Sequence, residues 1–124
     1  MADRTFGAIA AAMGGLGVAL GAFGAHGLAT VLEANGRADT FATATQYLLI
    51  HALALLLVAW VMRGHENRWL RRAGWLFIAG VVLFSGSLYV LAIFNIGFMG
   101  AVAPLGGAAF IAGWLCVGVF MRTQ

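Results

Sequence analysis

The stretch Thr40–Met62, TFATATQYLLIHALALLLVAWVM, decides the fold. It carries no charged side chain, and at 1.5 Å per residue a helix of this length spans about 34 Å, enough to cross a hydrocarbon core of about 30 Å. Asp39 precedes it, with a short side chain suited to a helix N-cap. The segment RGHENRWLRR, residues 63–72, follows and holds Arg63, Arg68, Arg71 and Arg72. Outward from this pair the pattern repeats. Apolar runs occupy about 6–32, where no charge falls between Arg4 and Glu33, then about 73–94 and about 100–121. The gaps between them admit only turns. The expected fold is all-α: a polytopic membrane protein whose residues 1–124 form a single four-helix transmembrane bundle.

Composition agrees. The 124 residues are 63% hydrophobic with 18 glycines, 9% charged, and have a mean hydropathy of +0.97. A soluble domain keeps about a quarter of its residues charged, so an ordinary soluble globule and a disordered chain are excluded. The single cysteine, Cys116, excludes a disulfide scaffold. The pI near 10 does not point to nucleic acid, because no basic stripe interleaves with aromatic residues. Membrane lipids are the expected partners instead.

The arginines set the expected orientation. Arg4, the four of the central loop and Arg122 fall on the side that holds both termini, whereas Arg37 alone falls on the other, beside Glu33 and Asp39. That asymmetry predicts an N-in, C-in protein of the cell inner membrane, or of the mitochondrial inner membrane if the source is organellar. Trp60, Trp69 and Trp75 flank the arginine loop like an interfacial aromatic belt. Ala22–Ala25 faintly resembles a signal-peptide cleavage site, but Met1–Arg4 has no net positive side-chain charge, and the first span is expected to be retained. Arg63, Arg68, Arg71 and Arg72 form a cationic patch read either as a topology determinant or as a contact for anionic lipid.

Gly17, Gly21 and Ala25 form a small-xxx-small ladder in the first span. Such a ladder lets another backbone approach closely. It predicts a thin helix at the centre of the bundle, with a homo-oligomer seam as the competing reading. Gly15, Gly17 and Gly21 do not make a dinucleotide fingerprint, since the spacing is wrong and no strand precedes them.

Polar groups inside hydrocarbon are costly and mark positions with a purpose. His26 lies at the far end of the first span; Thr43, Gln46, Tyr47 and His51 lie in the second; Ser85, Ser87 and Tyr89 in the third; Pro104 at the start of the fourth. Thr43, Tyr47 and His51 are spaced i, i+4, i+8 and share a helix face. Pro104 leaves the carbonyl of Gly100 without its helical partner. All of these fall in the outer half of the bundle. The expected arrangement is an interhelical network in which His26, Gln46, His51 and Ser85 bond one another. Two alternatives are a pocket for a lipid, quinone or small solute, and a haem or metal site on His26 and His51. Neither carboxylates nor Cys116 can complete a coordination set there, so no metal and no cofactor is expected. No carboxylate pair or Ser-His-Asp constellation is complete, so no catalytic residue is expected either.

The motifs GAFGAHGL (21–28), ATQYLLIHALA (44–54), LFSGSLY (83–89), PLGG (104–107) and Gly113-Trp114 occur in order. Together they resemble the small inner-membrane family known as domain of unknown function 423, relatives of transmembrane protein 256. The resemblance covers essentially the whole chain. It implies a compact four-helix membrane protein without an established catalytic activity, and its motif residues coincide with the polar cluster just described. The functional expectation is therefore a non-enzymatic protein that packs against itself or into a larger membrane complex. The alternative is an oligomeric transporter of small solutes or lipids that uses His51 as its titratable group, with a haem- or quinone-binding redox protein behind it.

Overall fold

The computed structural model describes Met1–Gln124 and is entirely helical. Helix α1 runs Ala2–Ala25, α2 Ala29–Asn35, α3 Ala38–Val61, α4 Arg68–Phe94 and α5 Met99–Arg122. The four long helices are each long and apolar enough to cross a membrane. They run alternately up and down, so that Met1, the α3–α4 loop and Gln124 gather at one end.

Three boundaries differ from the sequence reading, each for a local reason. The first span does not continue to Leu32. It stops at Ala25, where His26 leaves helical geometry (φ −126°, ψ −80°), and the chain turns through Gly27 into the short α2. α2 is tied down from both sides. Leu32 is buried against Phe41 and Ala92, and the Asn35 amide donates to the carbonyls of Ala92 (2.9 Å) and Ile93 (3.1 Å), covering the last turn of α4. Asp39 is not the cap of α3. The helix begins one residue before it, and its carboxylate sits in the first turn, where the helix dipole favours a negative charge. α4 starts at Arg68 rather than Ala73. Its cap is Asn67, whose Oδ1 accepts from the backbone N–H of Trp69 (2.8 Å) and Leu70 (3.3 Å). The arginines of that first turn point outward while Leu70 is buried. Asn67→Ala is expected to cost about 1 kcal/mol, read as a lower melting temperature in detergent, with Asn67→Asp close to wild type.

α3, not α1, is the central helix. It packs on α1 along one side and on α4 along the other, and α5 packs on α4. α1 is an edge helix that buries Phe6, Ala10, Met13 and Gly17 and leaves its remaining faces open. At the loop end Phe6 reaches across to meet Trp75 edge-on, with ring centroids 5.3 Å apart. The long side chains on these helices land on glycines of their neighbours: Leu49 on Gly17, Phe41 on Gly24, Phe6 on Gly74, Phe110 on Gly80 and Phe77 on Gly113. A β-carbon at any of these glycines would come closer than 3.0 Å to the opposing side chain. At Gly106 the opposing atoms include backbone, the amide nitrogen of Phe84 and the carbonyl carbon of Leu83. Here α5 meets the main chain of α4, at a π-helical turn, Val81–Ser85, in the middle of that helix. One π turn inserts an extra residue and shifts the angular phase of everything beyond it.

Candidate functional site

The expected cluster divides into separate arrangements when its side chains are traced. His51 is buried at mid-length of α3. Its Nδ1 lies 2.8 Å from the Tyr47 carbonyl one turn back, and its Nε2 lies 3.1 Å from the indole Nε1 of Trp114 on α5. A carbonyl can only accept and an indole N–H can only donate. The ring is therefore neutral, with its hydrogen on Nδ1 and its Nε2 lone pair taken by Trp114. Aromatic rings enclose it: Phe110 stacks with a centroid separation of 3.6 Å, Phe77 meets it edge-on at 5.4 Å, and Tyr47 stacks at 6.0 Å. Both nitrogens being engaged, neither is free to ligate a metal.

The second arrangement seams α3 to α4. Ser85, in the π turn, is buried and donates to the Ala44 carbonyl at 2.8 Å. One turn outward, Thr45 Oγ1 lies 3.1 Å from the Phe41 carbonyl and 2.7 Å from the Tyr89 hydroxyl. Because Thr45 donates its single hydrogen to the carbonyl, the Tyr89 O–H donates to Thr45. The Tyr89 ring also meets Phe41 edge-on at 4.9 Å. Ser87 and Thr43 bond back within their own helices, to the carbonyls of Leu83 and Asp39. No buried side-chain nitrogen or oxygen lacks a partner.

The network expected among His26, Gln46, His51 and Ser85 is therefore not formed: these four side chains do not bond one another. His26 is exposed at the end of α1, and Pro104 is exposed in α5. Gln46 is exposed on the flank of α3 that meets α1, and its amide makes no hydrogen bond within the chain. It lines a groove of about 480 Å³ between α1 and α3. Gly21, Gly24 and Ala25 form one wall, Phe41, Ala42, Thr45 and Leu49 the other, and Leu32 of α2 closes the end. The ladder Gly17–Gly21–Ala25 divides between two surroundings, and it lies on an edge helix rather than at the centre of the bundle. Gly17 is buried against Leu49, while Gly21 and Ala25 face the groove.

Two participants escaped the sequence reading. Thr45 was hidden because Thr40 and Thr43 precede it on the same helix, and only the partner helix tells which one bonds across. Trp114 did leave a signal: unlike Trp60, Trp69 and Trp75 beside the arginine loop, it lies about 12 Å inside the end of its helix, where its N–H needs an acceptor. No three His, Cys, Asp or Glu side chains gather closely enough to hold a metal ion.

Comparison with known proteins gives a consistent answer. Residues 20–107 match the family described as protein of unknown function DUF423. The chain is 45% identical over 105 residues to the UPF0382 membrane protein YwdK of Bacillus subtilis, covering 82% of this chain and 83% of that one. It is 42% identical over 100 residues to a UPF0382 membrane protein of Staphylococcus epidermidis, covering 81% and 80%. With the UPF0382 inner membrane protein YgdD of Escherichia coli K12 it shares 39% identity over 114 residues, covering 92% and 86%. No solved structure matches.

Proposed function

Because the chain belongs to the DUF423 family and is a small multi-pass membrane protein, we propose that it is a non-catalytic assembly component of the inner membrane. In this reading the groove between α1 and α3 receives a transmembrane helix of a second copy. The observation that carries it is Gln46. The amide lies about 12 Å along α3 from the helix start, at hydrocarbon depth, without a hydrogen-bond partner in its own chain. A primary amide both donates and accepts, so two copies related by a two-fold axis satisfy each other's Gln46. The small residues Gly21 and Ala25 beside it permit the close backbone approach that drives helix association in lipid. The engaged nitrogens of His51 favour a structural role for that residue over a proton-carrying one. The termini are proposed to face the cytoplasm, since Arg4, Arg122 and the four loop arginines share their end of the molecule.

Native mass spectrometry of the gently extracted full chain tests the assembly. The wild type is expected as a homo-oligomer, and Gln46→Leu is expected to weaken it about threefold to twentyfold while leaving the monomer folded. A monomeric wild type, or an unchanged oligomer in Gln46→Leu, overturns the reading. Recovery only within a large stoichiometric complex replaces the second copy with a foreign subunit.

A further inference from the structure

The arginines at the loop end sort by partner. Arg71 is paired with the Glu66 carboxylate. Arg68 and Arg72 lie over the indole ring of Trp69, at 5.4 and 5.0 Å from its centroid. Arg63, from the expected patch, and Arg4, from outside it, have neither a carboxylate nor an aromatic face. Both are exposed, and both line one groove of about 440 Å³ between the start of α1 and the end of α3. The remaining wall is built in order of depth. Gly7 lies one turn below Arg4; Trp60 and Ala59 lie about one turn below Arg63, and Leu56 one turn deeper. The one carboxylate at the mouth, Asp3, is ion-paired at 2.9 Å with the chain's own amino group.

We infer that this groove binds one anionic phospholipid. Its phosphodiester sits between the Arg4 and Arg63 guanidiniums and one acyl chain lies along Gly7, Ala59 and Leu56. Guanidinium forks match phosphate oxygens through paired N–H donors. Arg4 and Arg63 are free to make that match, whereas the other loop arginines spend their charge or their plane inside the protein. Trp60, two-thirds exposed, stands at the depth where an indole meets the glycerol region of a lipid. A zwitterionic lipid brings a cation to the same mouth and is disfavoured. The site lies at the opposite end of the bundle from the Gln46 groove and stands independently of it.

The test is lipid retention by the full chain, measured by native mass spectrometry after purification from nanodiscs holding equal phosphatidylglycerol and phosphatidylcholine. The wild type is expected to keep one phosphatidylglycerol selectively. Arg4→Gln and Arg63→Gln are each expected to lower its retention about fivefold, and the double variant about twenty-five-fold. Arg68→Gln/Arg72→Gln changes it less than twofold. Trp60→Ala, at an exposed position that does not threaten the fold, lowers retention with the charge unchanged. Equal retention of the two lipids overturns the inference, as does equal loss from either pair of arginines, which is the behaviour of diffuse surface charge. Displacement of the lipid by millimolar glycerol phosphate also overturns it, since that makes the phosphate alone the ligand.

Discussion

Gly106→Ala is expected to be the most damaging single-methyl change in the chain, costing about 3 kcal/mol, and Gly106→Leu is expected to yield no folded protein. At the other tightly packed glycines, Gly17, Gly24, Gly74, Gly80 and Gly113, an added β-carbon meets side-chain atoms only. At Gly113, for example, it meets the Phe77 ring at 2.6 Å, a contact that a side-chain adjustment can relieve without moving a helix. At Gly106 it meets the Phe84 β-carbon at 2.7 Å, the Leu83 carbonyl carbon at 2.8 Å and the Phe84 amide. Main chain in the middle of a helix cannot step aside without carrying the helix with it. Overpacking a well-filled interior costs about 1–3 kcal/mol when side chains absorb it, and this position belongs at the upper end. Gly118, with open space around its added β-carbon, is the control: Gly118→Ala is expected to be neutral or slightly stabilising. Thermal unfolding in one detergent compares the two alanine variants, and the yield of folded protein reads Gly106→Leu. A Gly106→Ala melting temperature equal to the Gly118→Ala value would mean that α4 and α5 do not touch at Gly106.

The second large effect is at His51. His51→Ala is expected to cost about 3–4 kcal/mol, because it removes a ring packed between Phe110 and Phe77 and leaves the Trp114 N–H without an acceptor. Trp114→Phe, which keeps the aromatic filling and deletes only the donor, is expected to cost about 0.5–2 kcal/mol. The double variant is expected to be less damaged than the sum, since the orphaned donor is then gone. Strict additivity would show that the two side chains do not bond. The nitrogen chemical shifts of the imidazole report its tautomer directly, and the Nδ1–H form is the expected one.

Much of this architecture was legible in the residues, and the part that was not has a common cause. The number of spans, their approximate limits and the shared end of the termini follow from charge-free runs and the arginines between them. Those signals depend on transfer into lipid, which each segment expresses alone. Which helix occupies the centre does not follow. In a chain apolar on all faces, the side turned to a neighbour and the side turned to lipid have the same composition, so the glycines of α1 point to it as the central helix although α3 holds that place. The break at His26 was hidden for a related reason: Leu28, Val31 and Leu32 continue the apolar run after the helix has ended. The importance of His51 was visible, whereas its partner depended on the crossing of α3 and α5. Ser85 was likewise noticed as polar, but the π turn that aims it at Ala44 has no signature in Val81–Ser85.

The Asn35 clasp has a consequence in time. Its donor belongs to the short connector after the first long helix, and its acceptors, the carbonyls of Ala92 and Ile93, lie 57 and 58 residues further along. As a ribosome feeds this chain into the bilayer, the first two long helices are complete well before those carbonyls exist. Until the third helix arrives, the connector has Leu32 and Asn35 without their later contacts. The molecule is thus fastened at that end late in synthesis, by a residue made early that must wait for its target.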